Sequence, residues 1–321
     1  MGQHDYVISF IFASVLAGVP LLFGTLGEII TEKAGHLNLG VEGMMYMGAI
    51  CGFVAGYHTQ SPFLLLLCSF LGGAAGALVY AFLTVTLFAN QNVTGLALTI
   101  FGAGFANYIG EALIMKAPNR AAVLSDNITR FFGGIYIPVL SDMPVLGRLV
   151  FQYNIFVYFG VLLAILGGIY LNRTRRGLNL RAVGENTAAA DAAGIRVVLY
   201  KYIHIVTGGG ICGLGGAYIA VVICGGTWTN NCVNGLGWIA VALVIFAGWS
   251  PYRTILGSFV FGSLDVLRFY IPKDVINIPT AFFAMVPFAV TAAVIVITSI
   301  RKSAVNAQPR CIGINYFREE R

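Results

Sequence analysis

The chain has 321 residues, of which 58% are hydrophobic and only 10% charged, with a formal net charge of +6. A soluble domain carries about 25% charged residues, so this composition excludes one and indicates an integral membrane protein. The positive balance does not suggest nucleic acid, because six of the 19 basic residues fall within 173–201 and five follow Ile300, as positive-inside bias requires.

In chain order, the first apolar segment covers 6–30, interrupted by Pro20 and ending near Glu28. The N-terminal MGQHD lacks the basic flank of a cleavable signal, and the segment behind it is long enough to span. The polar, glycine-bearing stretch 31–43 follows, with Asn38, Gly40 and Gly43 where one apolar run stops and the next begins. It reads either as a plain turn or as a broken helix of the kind that lines transporter pathways. Spans are then expected at 41–57 and 62–89, carrying Gly48, Gly52, Gly56 and Gly72, Gly76 at the four-residue spacing that lets helices pack closely. Asn90-Gln91-Asn92 breaks the pattern before a span at 93–115.

Residues 116–152 form the longest non-apolar stretch, and the span count places it outside despite its four basic and two acidic residues. A span at 153–172 leads to the basic interruption 173–201, which short cationic loops of this kind fix in the cytoplasm. From Glu185 to Ala193 the interruption is rich in alanine and is closed by Gly194, which favours a short surface helix with a left-handed cap. From composition alone a solvated topogenic loop is the simpler reading; a docking element is the alternative. Further segments at 202–224, 235–249, 252–271 and 281–300 bring the total to nine, within a range of eight to ten, because 235–249 is short enough to be re-entrant. The turn 271–279 is expected outside, the tail 301–321 in the cytoplasm and the N-terminus outside.

Little in the chain suggests catalysis. Gly208–Gly213 fits GxGxxG formally, but it lies inside an apolar span with no strand before it and reads as helix packing. No GxxxxGK[ST] occurs, so the chain does not bind ATP through a P-loop. The six cysteines form no C-x-x-C pair, and free apolar thiols are expected, although Cys224 and Cys232 flank one external turn. Glu28, Glu42, Asn107, Glu111 and Asp265 lie in or at the ends of spans, where polar groups usually face a bundle interior. Asp265 with Arg268 three residues on reads as a structural ion pair.

Four long motifs carry a resemblance: GEIITEKAGHLNLGVEGMMYMGA (27–49), NQNVTGLAL (90–98), RTRRGLNLRAVGENTAAADAAGI (173–195) and GLGWIAVALVIFAGWSPYRTILGSFVFG (235–262). Together they make the chain similar to the permease subunit of an ABC importer of the branched-chain amino acid/ribose permease superfamily, nearest the simple-sugar and nucleoside permeases. The resemblance implies an all-α polytopic bundle forming one permease domain over 1–321 in the cell membrane. It also implies two cytoplasmic ATPase subunits holding the ATP and Mg, a second similar permease, an extracytoplasmic substrate-binding protein, and no cofactor on this chain. Gly184, Glu185, Ala189, Ala190 and Gly194 match the family's coupling helix, which favours docking over the topogenic loop. A weak central path for a neutral solute needs hydrogen-bonding groups, and Asn38, Gly40, Glu42, Asn92 and Thr94 are the candidates. The expected function is ATP-driven import of a small neutral solute, a nucleoside first, with a simple sugar such as ribose, or an ATP-independent secondary transporter, as alternatives.

Overall fold

A computed structural model describes residues 3–136, 138, 141, 143, 145, 147–270, 280–301 and 308–317. The turn 271–279, parts of 116–152 and parts of the tail lie outside the described residues.

Each of the nine apolar segments read from the sequence coincides with a helix among the described residues: α1 (Gln3–Lys33), α2 (Val41–Thr59), α3 (Pro62–Ala81), α4 (Gln91–Lys116), α6 (Ile155–Arg173), α9 (Val197–Tyr218), α10 (Leu236–Ala247), α11 (Pro251–Tyr270) and α12 (Thr280–Arg301). The remaining helices are short: α5 (Asp126–Phe131), α7 (Arg175–Glu185) and α8 (Thr187–Ala192). Among the described residues five helices are long and apolar enough to cross a membrane: those of α1, α3, α4, α6 and α9. With 12 residues α10 is about 18 Å long, short of the ~30 Å hydrocarbon core. No strand forms among the described residues; the backbone makes only isolated bridges, Val123 with Thr227 and Gly134 with Asn154.

Helix starts follow side-chain chemistry. Ser61, Asn90 and Asn154 cap α3, α4 and α6 by accepting the backbone N–H of Leu64, Val93 and Val157. α3 and α9 each finish in a π turn, Phe82–Thr86 and Ile219–Ile223.

The core is α2, wrapped by α3, α4, α9 and α10 and buried along most of its length. Lipid supplies no hydrophobic drive between helices, so they hold by close packing of small residues. A methyl group on Gly48 would stand 2.2 Å from the Cα of Gly213, so α2 and α9 touch backbone to backbone. Gly73 of α3 meets Gly209 and Gly213 in the same way, which confirms the glycine run 208–213 as packing.

The basic interruption departs from the sequence reading. Instead of one helix from Glu185 to Ala193, α7 ends at Glu185 and α8 begins at Thr187. Asn186 adopts an extended backbone between them and caps α8, its Oδ1 accepting the Ala189 N–H at 2.9 Å. α9 starts at Val197, so Lys201 lies within a helix. Asp265 and Arg268 form the expected pair, at 3.7 Å on a half-exposed helix face.

Candidate functional site: a buried helix break and the helices beneath it

Residues 34–40 join α1 to α2 inside the bundle, with Ala34, Gly35, His36, Asn38 and Gly40 buried. Irregular backbone at this depth persists only where its polar groups are satisfied, and here side chains from three other elements do so. Leu37 donates its N–H to Gln91 Oε1 of α4 at 2.9 Å, and its carbonyl accepts the Tyr80 hydroxyl of α3 at 2.7 Å. Asn38 donates its backbone N–H and its Nδ2 to the two carboxyl oxygens of Glu28 in α1, both at 3.1 Å. The Leu39 carbonyl accepts Thr99 Oγ1 of α4, and Gly40 donates to Asn38 Oδ1 at 2.9 Å. The stretch is therefore a turn between two helices whose backbone groups are satisfied by side chains from the surrounding elements.

A second helix start meets the first. α10 begins at Gly235, which has positive φ and no side-chain cap of its own. Its N–H donates instead to Glu42 Oε1 of α2 at 2.9 Å, while Asn234 donates to the Tyr46 hydroxyl at 3.3 Å. A Cβ on Gly237 would lie 2.4 Å from Glu42 Cα, so the N-termini of α2 and α10 are in backbone contact. Both present the positive end of a helix dipole to one place. The other Glu42 oxygen, Oε2, is buried without a hydrogen-bond partner. The loop before α10 rests on α4: Asn107 Nδ2 donates to Asn231 Oδ1 at 2.8 Å, and Asn230 donates to Glu111 at 2.9 Å. Burial pushes the Cys232 thiol in that loop up to about 12. All six cysteines are free.

The break thus gathers Asn38, Gly40 and Glu42. Thr94 is buried beside it on α4, but its hydroxyl donates to Asn90 of its own helix at 2.8 Å. Asn92 stands on the exposed face of α4. Gln91, absent from the sequence candidates, is the α4 residue that reaches the break; it shares a buried face with Thr94, Gly95 and Leu98 at helical spacing, and that periodicity was the available signal. Glu32, also absent from the sequence candidates, accepts the Trp249 indole N–H.

Beneath the break lie α7 and α8. Gly184 packs so tightly on α1 that an added Cβ would sit 2.4 Å from the Lys33 carbonyl. Glu185 is exposed and ends α7. Ala190 is buried with Val183 and Val197, whereas Ala188, Ala189, Ala192 and Ala193 form an exposed face of small side chains. Gly194, at φ +81°, closes α8: it donates to Asp191, and Ile195 donates to Ala190 at 3.1 Å. That pair of bonds is the Schellman arrangement. The tail segment 308–317 straps this region. Cys311 donates its N–H to the Gly184 carbonyl at 2.9 Å, Tyr316 donates to Asp191 at 2.8 Å, and Asn315 accepts from Gln91 at 3.1 Å.

Residues 10–295 match the family described as the permease component of the branched-chain amino acid transport system. The chain belongs to that family. Its apolar helices accordingly make it a multi-pass membrane protein, a transport component and not an enzyme. Among similar permeases, the nucleoside ABC transporter permease NupC of Lactococcus lactis is 32% identical over 95% of this chain and 96% of its own. The guanosine ABC transporter permease NupQ of Bacillus subtilis is 31% identical over 96% of each. TsgC13 of Haloferax volcanii, described as a candidate glucose ABC transporter permease, is 36% identical over 80% of this chain and 75% of its own. In this permease the residues from the 27–49 motif form the helix break and those from 173–195 form α7 and α8, so the two best-marked motifs meet at Gly184 and Lys33.

Proposed function

We propose that this permease is the membrane subunit of an ATP-driven importer of nucleosides. The observation that carries the substrate class is the end-to-end similarity to two permeases whose names specify nucleosides or guanosine, at 95% and 96% of this chain. In this reading the exposed alanine face of α8 docks on a cytoplasmic ATPase, which holds the ATP and Mg. Gly184, seated on the Lys33 carbonyl, passes its movement to the end of α1 and so to the break. A second similar permease completes the path, an extracytoplasmic binding protein delivers the substrate, and no cofactor is bound by this chain. In this reading the long helices cross the membrane while α10 runs only part of the way, with the N-terminus outside and α7, α8 and the C-terminus in the cytoplasm.

The path itself suits a neutral, hydroxyl-rich solute. Asn38, Gly40, Glu42 and Thr94 border the break, with Asn92 facing outward from α4, and the free oxygen of Glu42 offers an acceptor between two helix N-termini. A weak site of this kind lets substrate leave as readily as it enters. The test is uptake in reconstituted vesicles containing the ATPase, with labelled guanosine competed by adenosine, ribose and glucose. Competition by nucleosides alone supports the reading. Competition by glucose would favour a sugar importer, the second reading, which rests on the 36% identity to TsgC13. Uptake without ATP would overturn both.

A further inference from the structure

A cavity of about 620 Å³ opens at the α7–α8 end, between the start of α9, the π turn after α3 and the tail segment. Its deep wall holds two polar groups with no evident use. Lys201 is 3% exposed and has no carboxylate within ion-pair distance among the described residues. His36 is 1% exposed, and neither ring nitrogen has a hydrogen-bond partner. A buried ammonium without a counter-charge is costly, and buried polar atoms are rarely left unpaired. Both face the same space. The rest of the wall is of a different character: Val85, Phe88 and Tyr202 offer apolar and aromatic surface, with the exposed Arg196 at the mouth. Asp191 also lines it, engaged by the Tyr316 hydroxyl.

We propose that this cavity binds an organic phosphate ester. Its anionic oxygens would accept from Lys201 and His36 and be met on entry by Arg196, and its organic body would cover Phe88 and Tyr202. Inorganic phosphate has no such body, whereas the cavity has the size of a small-molecule site. Tyr316 and Asn315 belong to the strap that ties α8 to α4, so occupancy would stiffen the link between the docking helix and the break. Two sources present this chemistry at a cytoplasmic face: a soluble nucleotide, such as the phosphorylated form of an imported nucleoside, and the headgroup of an anionic phospholipid. The choice of these sources rests on the proposed orientation and substrate class.

The experiment uses the assembled transporter in nanodiscs of phosphatidylcholine. Guanosine monophosphate is titrated by equilibrium dialysis, and phosphatidylglycerol carried through purification is counted by native mass spectrometry. Saturable guanosine monophosphate binding, weakened about tenfold or more by Lys201→Met, supports a nucleotide site. Retained phosphatidylglycerol that is lost in Lys201→Met supports a lipid site. Arg196→Gln, at an exposed position, should weaken either several-fold and serves if Lys201→Met does not fold. Neither ligand on the wild type, or binding unchanged in both variants, overturns the proposal. Failure of nucleoside uptake by the wild type would instead count against the proposed substrate and leaves the binding result readable.

Discussion

Gln91 and Asn315 lie 224 residues apart in sequence and are joined by a 3.1 Å hydrogen bond from one side-chain amide to the other. The same Gln91 side chain accepts the Leu37 N–H, and the neighbour of Asn315, Tyr316, holds Asp191 of α8. A short tail segment therefore connects α8 to the helix break through the first residue of α4. Asn315→Ala should leave membrane insertion and ATPase co-purification intact while lowering substrate moved per ATP hydrolysed several-fold. Unchanged transport stoichiometry in vesicles would reduce the strap to a packing element.

The cap of α8 makes two proline substitutions unequal. Ala189 occupies the first turn, and proline there removes the N–H held by Asn186, a loss of about 1 kcal/mol. Ala193 donates to the Ala189 carbonyl at 3.0 Å at the end of the helix. Proline at 193 deletes that bond and forces Ala192 out of helical geometry, at about 3 kcal/mol. ATPase pull-down should therefore fall much further for Ala193→Pro than for Ala189→Pro. The reverse order would mean that the partner reads the first turn directly.

Glu42 is expected to act as the missing cap of α10. Glu42→Gln keeps an acceptor toward Gly235 and should assemble normally, while Glu42→Ala should lose about 1 kcal/mol through the uncapped helix start. Thermal unfolding of detergent-solubilised protein reads this difference. Equal melting of the two variants would remove the capping role, and a transport defect shared by both would then mark the free oxygen as a substrate contact.

Orientation is testable with cysteines added one at a time to a background in which Cys224 and the other accessible native cysteines are replaced by serine. Because burial holds the Cys232 thiol at about 12, it stays protonated at pH 7.4, and only thiolates react quickly. An impermeant maleimide on intact cells should label Asn119→Cys rapidly and leave Arg181→Cys untouched until the cells are lysed. Labelling of Arg181→Cys from outside would invert the proposed topology and remove the coupling role of α8.

Local chemistry was legible in the sequence wherever a single element decided it. Gly194 announced the left-handed stop of α8, and the glycine stripes announced close helix contacts. Asn186 before Thr187-Ala188-Ala189 is an equally plain cap signal, and it separates α7 from α8 where composition alone runs them together. The break was located correctly, but its partners were not, because Gln91 and Asn92 differ only in which face of α4 they occupy. The tail contacts were beyond reach in principle: nothing local in Asn315 or Tyr316 encodes a partner more than 100 positions away.

The glycine contact between α2 and α9 has a consequence for synthesis. α2 packs its glycine face on α9, yet α9 emerges well over a hundred residues later. At ribosomal speeds of about 5–20 residues per second, that interval lasts roughly 7 to 28 seconds. Throughout it the central helix must wait with its glycine seam unfilled, held by lipid, by α3 or by the insertion machinery. The central helix of the mature protein thus spends a long interval without its partner, and mutations that enlarge Gly48 or Gly213 should be punished during biogenesis, before transport is ever attempted.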